Sequence, residues 1–162
     1  MKTIKLLLLS GIIALTSCAK DPCVDTTCYN DGVCDDGTCL CADWYEGDDC
    51  STEEREKYFG TYLGTSQLFD SDNNLVNTSV ASLSITAGNT INALTGDGQL
   101  PLVLSASGSG SYDIPVTQIY DADLGGNIYL QGSGTLSSSN ATMVAQMEFQ
   151  GDILYYSFTG NK

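Results

Sequence analysis

Cysteine is concentrated in one short stretch of this chain and then disappears. Cys23, Cys28, Cys34, Cys39, Cys41 and Cys50 are separated by four, five, four, one and eight residues. A segment this short cannot bury enough apolar surface to fold unaided, so covalent crosslinks must limit the entropy of its unfolded state. Six cysteines allow fifteen pairings, and composition alone does not choose among them. A zinc site built around Cys39 and Cys41 is the competing reading. It is disfavoured because the chain has no histidine to complete the usual ligand set. Everything after Cys50 must fold on a hydrophobic core instead, which divides the chain into two folding problems.

The seventh cysteine, Cys18, stands apart at the end of Leu15-Thr16-Ser17-Cys18. Lys2 and Lys5 form a positive n-region, residues 6–15 a short apolar run, and Thr16 and Ser17 are the small residues before a cut. The run is too short to span a bilayer as a helix. The stretch resembles the lipobox of bacterial lipoproteins. That resemblance implies a signal peptide over 1–17, a diacylglycerol on the Cys18 sulfur and an acylated new N-terminus, enough chains for stable attachment. Residues 18–22 are then a tether. Lys20-Asp21 is similar to a short export signal and Ala19 is not the aspartate that retains enteric lipoproteins at the inner membrane. The expected address is the cell outer membrane, facing the exterior.

Turn formers fill the cysteine-rich stretch: Asn30-Asp31-Gly32 and Asp35-Asp36-Gly37 can each reverse the chain in a tight hairpin. With Tyr45-Glu46-Gly47 before the last cysteine, residues 23–50 resemble an EGF-like module of the short, tenascin type. The resemblance implies pairing of Cys23 with Cys34, Cys28 with Cys39, and Cys41 with Cys50. Trp44 departs from the pattern, standing where a first glycine is common. A calcium site of the family type is not expected. Asp21 supplies one carboxylate before the first cysteine, and only four residues separate Cys34 from Cys39. The neighbouring aspartates read as a solvated acidic face.

Composition changes over 51–57, where Glu53, Glu54, Arg55, Glu56 and Lys57 lie together. This is read as the linker, with one helical turn as spacer. Residues 58–162 form the second domain, long enough for its own core. Its periodicity is two. Ala81, Leu83 and Ile85 alternate with polar residues, as do Tyr112, Ile114 and Val116; Ala141, Met143, Ala145, Met147 and Phe149 make the longest stripe. Gly, Asn, Asp and Ser clusters punctuate about eight runs, at 59–68, 80–86, 90–94, 99–105, 111–119, 128–136, 141–150 and 153–158. Short connections favour an antiparallel meander, and a meander of eight strands removes its edges by closing into a barrel. Phe59-Gly60-Thr61-Tyr62 resembles the opening of a lipocalin-like barrel, with Tyr62 where tryptophan is common and no arginine after Arg55 for the barrel base. The expected class is therefore all-β: a small disulfide-rich module followed by a lipocalin-like barrel. A two-sheet β-sandwich, with Pro101 and Pro115 at its edges, is the alternative.

Met143, Met147 and Phe149 are the candidate ligand-contacting residues, because methionine conforms to irregular shapes and the alternating alanines leave space. A packed core is the simpler reading, since no buried polar group can be identified from the sequence to orient a ligand.

Enzymatic chemistry has little to work with. The absence of histidine removes the usual Ser-His and Cys-His nucleophiles, and the cysteines are committed to disulfides or lipid. Asp121 with Asp123 reads as a solvated turn rather than a catalytic pair. Residues 70–74 begin like a calcium loop but place Leu75 where the turn needs glycine. No catalytic residue, metal or cofactor is expected. Without Lys2 and Lys5, the six basic residues fall to four against twenty acidic ones, a side-chain balance of −16. Nucleic acid is thereby excluded as a partner. The expected function is noncatalytic: a lipid-anchored binding or adhesion protein with a protein or glycan partner. The alternative is a carrier for a small apolar ligand held in the barrel.

Overall fold

A computed structural model describes residues 20–121 and 125–162; the expected lipobox, including Cys18, lies outside them. Disulfides join Cys23 to Cys34, Cys28 to Cys39 and Cys41 to Cys50, the pairing the EGF resemblance implies. Between the first two, β1 (Val33–Asp35) and β2 (Thr38–Leu40) form a hairpin whose turn is made by Asp36 and Gly37 at positive φ. Cys50 is fully buried while most of its module is exposed, as expected of a unit whose core is largely cystine.

From Thr52 onward the stretch 51–57 is in regular structure. β4 (Thr52–Glu53) pairs back onto β3 (Tyr45–Glu46) of the module. The 3-10 helix Glu54–Tyr58 follows at once and buries both its terminal residues, Glu54 and Tyr58, against the second domain.

That domain is a closed antiparallel barrel of eight strands in sequential order: β5 (Gly60–Phe69), β6 (Leu75–Ala87), β7 (Ala93–Gly96), β8 (Leu100–Leu104), β9 (Ser111–Asp121), β10 (Gly126–Leu136), β11 (Asn140–Phe149) and β12 (Asp152–Asn161), with β12 returning to β5. The sandwich alternative is thereby excluded. Strand alternation explains the wall: on β10 every even residue from Gly126 to Leu136 faces in and every odd one out. β6 begins at Leu75, five residues before its expected start at 80. Residues 75–80 are exposed, so they carry no buried stripe, yet they pair along β5. β7 lies at 93–96 rather than 90–94.

The core fills only one end of the barrel. Tyr58, Tyr62, Leu83, Ile85, Leu94, Leu102, Leu104, Tyr112, Leu136, Ala141 and Phe158 are packed there, nearest the cysteine-rich module. Buried Tyr62 hydroxyl lies 3.0 Å from the Tyr58 carbonyl and 2.8 Å from that of Ser137, tying the 3-10 helix to the β10–β11 turn. Arg55 fixes the same end: its Nη1 lies 3.0 Å from the Gly88 carbonyl and 3.1 Å from that of Ala93, holding the β6–β7 loop. Lys162 Nζ donates to the Lys57 and Phe59 carbonyls, sealing the last strand to the first. Among the described residues no helix is long and apolar enough to cross a membrane.

Candidate functional site: the open end of the barrel

β7 and β8 have four and five residues, whereas their neighbours β6 and β9 have thirteen and eleven. The wall is therefore low on that side. β6 pairs with β7 only through Ile85, Thr86 and Ala87, and β8 pairs with β9 only through Val103 and Leu104. Above the β7–β8 turn a slot remains between upper β6 and upper β9.

The slot leads into a cavity of about 350 Å³. Its near lip is the hairpin tip, Gly96, Asp97, Gln99 and Leu100; its far side is Leu130, Met143, Met147 and Tyr156 on β10, β11 and β12. Met147 also borders a second, outer depression of about 640 Å³, with Leu68, Ile128, Phe149 and Leu154. These side chains point inward by strand parity yet are only half-buried, because no second layer covers them. The structure thus brings Met143, Met147 and Phe149 to the borders of two adjoining spaces. Met143 forms the floor, being 7% exposed, and the others line the sides. The interior is packed at one end and open at the other, with Met143 in the packed part and Met147 and Phe149 in the open part of the same strand.

Polar groups that the sequence did not reveal lie on the inner wall beside this opening. Ser66 on β5 faces inward, is 6% exposed, and shares a 2.9 Å hydrogen bond with Ser79 Oγ on β6. Burial raises the Tyr156 phenol above its ordinary pKa and nearby Asp97 raises it further, outweighing a hydrogen bond with Ser66. The hydroxyl is therefore neutral at physiological pH and available as donor or acceptor. Parity alone would have pointed Ser66 inward from its spacing with Tyr62; its serine identity made it look like a surface residue.

Asp97 shapes the lip. It sits at φ +48°, accepts the Ser84 N–H on Oδ1 at 3.0 Å and donates its own N–H to the Ser84 carbonyl at 2.8 Å. It thereby closes β6 at the point where β7 ends. At the rim, Asp70 accepts from the Asp72 and Asn74 N–H groups and from the Asn74 side chain. The Asn74 bonds lead the effects that hold its carboxyl below the ordinary aspartate range. A third depression, of about 590 Å³, lies mainly on outward-facing side chains of β9 to β12 and is a shallow saddle.

Asp123 and the side chain of Asp121 lie outside the described residues. Among the described residues, no three acidic or sulfur side chains converge as a metal site. No protein-family model and no curated protein sequence matches this chain.

Proposed function

We propose that this is a noncatalytic binding protein, lipid-anchored at the outer membrane, whose barrel holds a small apolar ligand in its open end. The observation that carries the reading is the half-filled interior, with the cavity bounded by Leu130, Met143 and Met147 beside a wall bearing Ser66 and Tyr156. Sites that take small molecules are mostly apolar, concave and preformed, with a few placed polar groups. This interior has that composition. The anchor rests on the lipobox resemblance at Leu15 to Cys18. An EGF-like assignment of the module is supported by its three disulfides, and a lipocalin-like assignment of the barrel by its eight-strand meander. The module contacts the packed end rather than the open one, which supports an opening turned away from the tether.

The test is native mass spectrometry of residues 20–162, which carry both units, before and after organic extraction. An extractable species at one per chain is expected, and Leu130→Trp should abolish it by filling the cavity. A clean apo mass that persists after incubation with an apolar compound library would sink the reading.

A protein or glycan partner is favoured by a separate observation. Val24, Tyr29, Val33 and Leu40 are all more than half exposed on the acidic module. Isolated apolar side chains on a surface are ordinary, but four on so small a unit suit a contact face. Val33→Ser with Leu40→Ser should then reduce attachment of the displayed protein to host or neighbouring cell surfaces without unfolding the barrel; unchanged attachment would remove this second reading.

A further inference from the structure

We propose that the ligand is an apolar molecule with a cationic amine head, and that carboxylate- and phosphate-headed amphiphiles are refused. This rests on the barrel-carrier reading and gives it a ligand class. The chain contains no lysine, arginine or histidine from Phe59 to Asn161. The three bases closest to the barrel are all engaged at its packed end. Arg55 holds the Gly88 and Ala93 carbonyls, Lys57 pairs with Glu46 at 2.8 Å, and Lys162 holds the Lys57 and Phe59 carbonyls. A carboxylate head entering the open end would meet no cation with which to exchange its hydration, and an unpaired anion leaves water only at heavy cost.

The carboxylates are placed the other way. Asp97 lines the inner cavity, and Asp70 and Asp152 line the outer one, so each space is bordered by acid and neither by base. Asp70 is held charged by its own loop. Low-dielectric walls focus such a field into the opening, which enriches cations and depletes anions before contact is made. The apolar space below takes the chain: Ile119, Leu130, Met143 and Met147 face it, and methionine adapts to the shape presented. The amine would rest at the lip, where Asp97 and the Tyr156 hydroxyl face the same cavity.

Residues 20–162 should be titrated calorimetrically with dodecylammonium, dodecanol and dodecanoate, each below its aggregation concentration, at low and raised salt. The ammonium should bind about tenfold more tightly than the carboxylate, on the order expected for one or two charge contacts at a wet surface. The alcohol should fall between them and the gap should shrink with salt. Asp97→Asn keeps the oxygen that accepts the Ser84 N–H and should narrow the gap without loosening the hairpin. If the alcohol binds and the carboxylate binds as well as the ammonium, the ligand class is overturned while the carrier reading survives. If none of the three binds, the carrier reading falls and this inference falls with it.

Discussion

The backbone N–H of Trp44 donates to Ser107 Oγ at 3.1 Å, joining the cysteine-rich module to the β8–β9 loop of the barrel across 63 positions of sequence. Trp44 holds φ +74°, the left-handed region that costs a residue with a Cβ about 1–2 kcal/mol. Glycine would take that conformation without this cost, and tryptophan is tolerated here because it packs against the barrel core. The same Ser107 hydroxyl donates to Glu54 Oε2 at 2.5 Å, and Glu54 returns a backbone N–H to the Trp44 carbonyl at 2.8 Å. Module, connector and barrel close a hydrogen-bonded ring, so the junction is a fixed joint.

Ser107→Ala opens that ring on two sides. Glu54 is 3% exposed, and the loss leaves its carboxylate with the Gly108 N–H, the Tyr58 hydroxyl and Lys57. Removing a donor from a buried charged group costs about 1.5–3 kcal/mol. Urea denaturation should show a loss of that size, and small-angle scattering should show a wider spread of module–barrel separations than the parent protein gives.

Acid should loosen the same joint. Burial raises the Glu54 pKa, but the hydrogen bonds from Ser107 and Gly108 and the charge of Lys57 outweigh it, leaving the value below the ordinary 4.5. A depressed carboxylate stabilises the folded state fully above its unfolded pKa, and that contribution is lost as pH falls through the folded value. Stability should therefore drop below about pH 4.5 more steeply in the parent than in Glu54→Gln. Melting curves at closely spaced pH values compare the two slopes; equal slopes would remove Glu54 from the account.

Reduction should separate the two units. All three disulfides lie within the module, and no cysteine contributes to the barrel core. A native disulfide in a unit this small contributes about 2–5 kcal/mol to it. Dithiothreitol should make residues 23–50 sensitive to protease while residues 60–162 survive intact with their β-sheet circular dichroism. Simultaneous loss of both would show that the barrel depends on its attached module.

What could be seen in the sequence was whatever repeats with a period or a spacing. The stripe of Ala141, Met143 and Ala145 marks β11 because each faces a packed interior, and the cysteine spacing marks the module. Upper β6 escaped, since Val76, Asn77, Thr78 and Ser79 are solvated on both faces and carry no alternation. The slot escaped because it depends on β7 and β8 being shorter than their neighbours, a relation between strands rather than a property of any one. Arg55 looked like part of a charged linker, yet its side chain is 12% exposed beneath the β6–β7 loop. Its carbonyl partners are backbone groups, which no side-chain pattern encodes.

Gly134 offers the sharpest test of how the packed end is built. It faces inward on β10, directly opposite Tyr112 of β9. Tyr112 is buried and reaches past β10 to donate its hydroxyl to the Thr142 carbonyl on β11 at 2.8 Å, so its ring occupies the space a side chain at 134 would need. A Cβ built there meets both the Tyr112 ring and the Thr142 carbonyl. Overpacking costs about 1–3 kcal/mol, and displacing the ring also breaks the hydrogen bond, worth about 1 kcal/mol. Gly134→Ala should therefore cost about 2–4 kcal/mol, far more than a glycine-to-alanine change in an open strand, where alanine reduces the entropy of the unfolded chain. Tyr112→Phe should cost only the hydrogen bond. In the double variant the bond is already absent when the methyl is added, so the two losses should fall short of their sum. Strict additivity in a denaturation cycle would mean that the methyl and the hydroxyl act independently, and that the ring does not span the strand over Gly134.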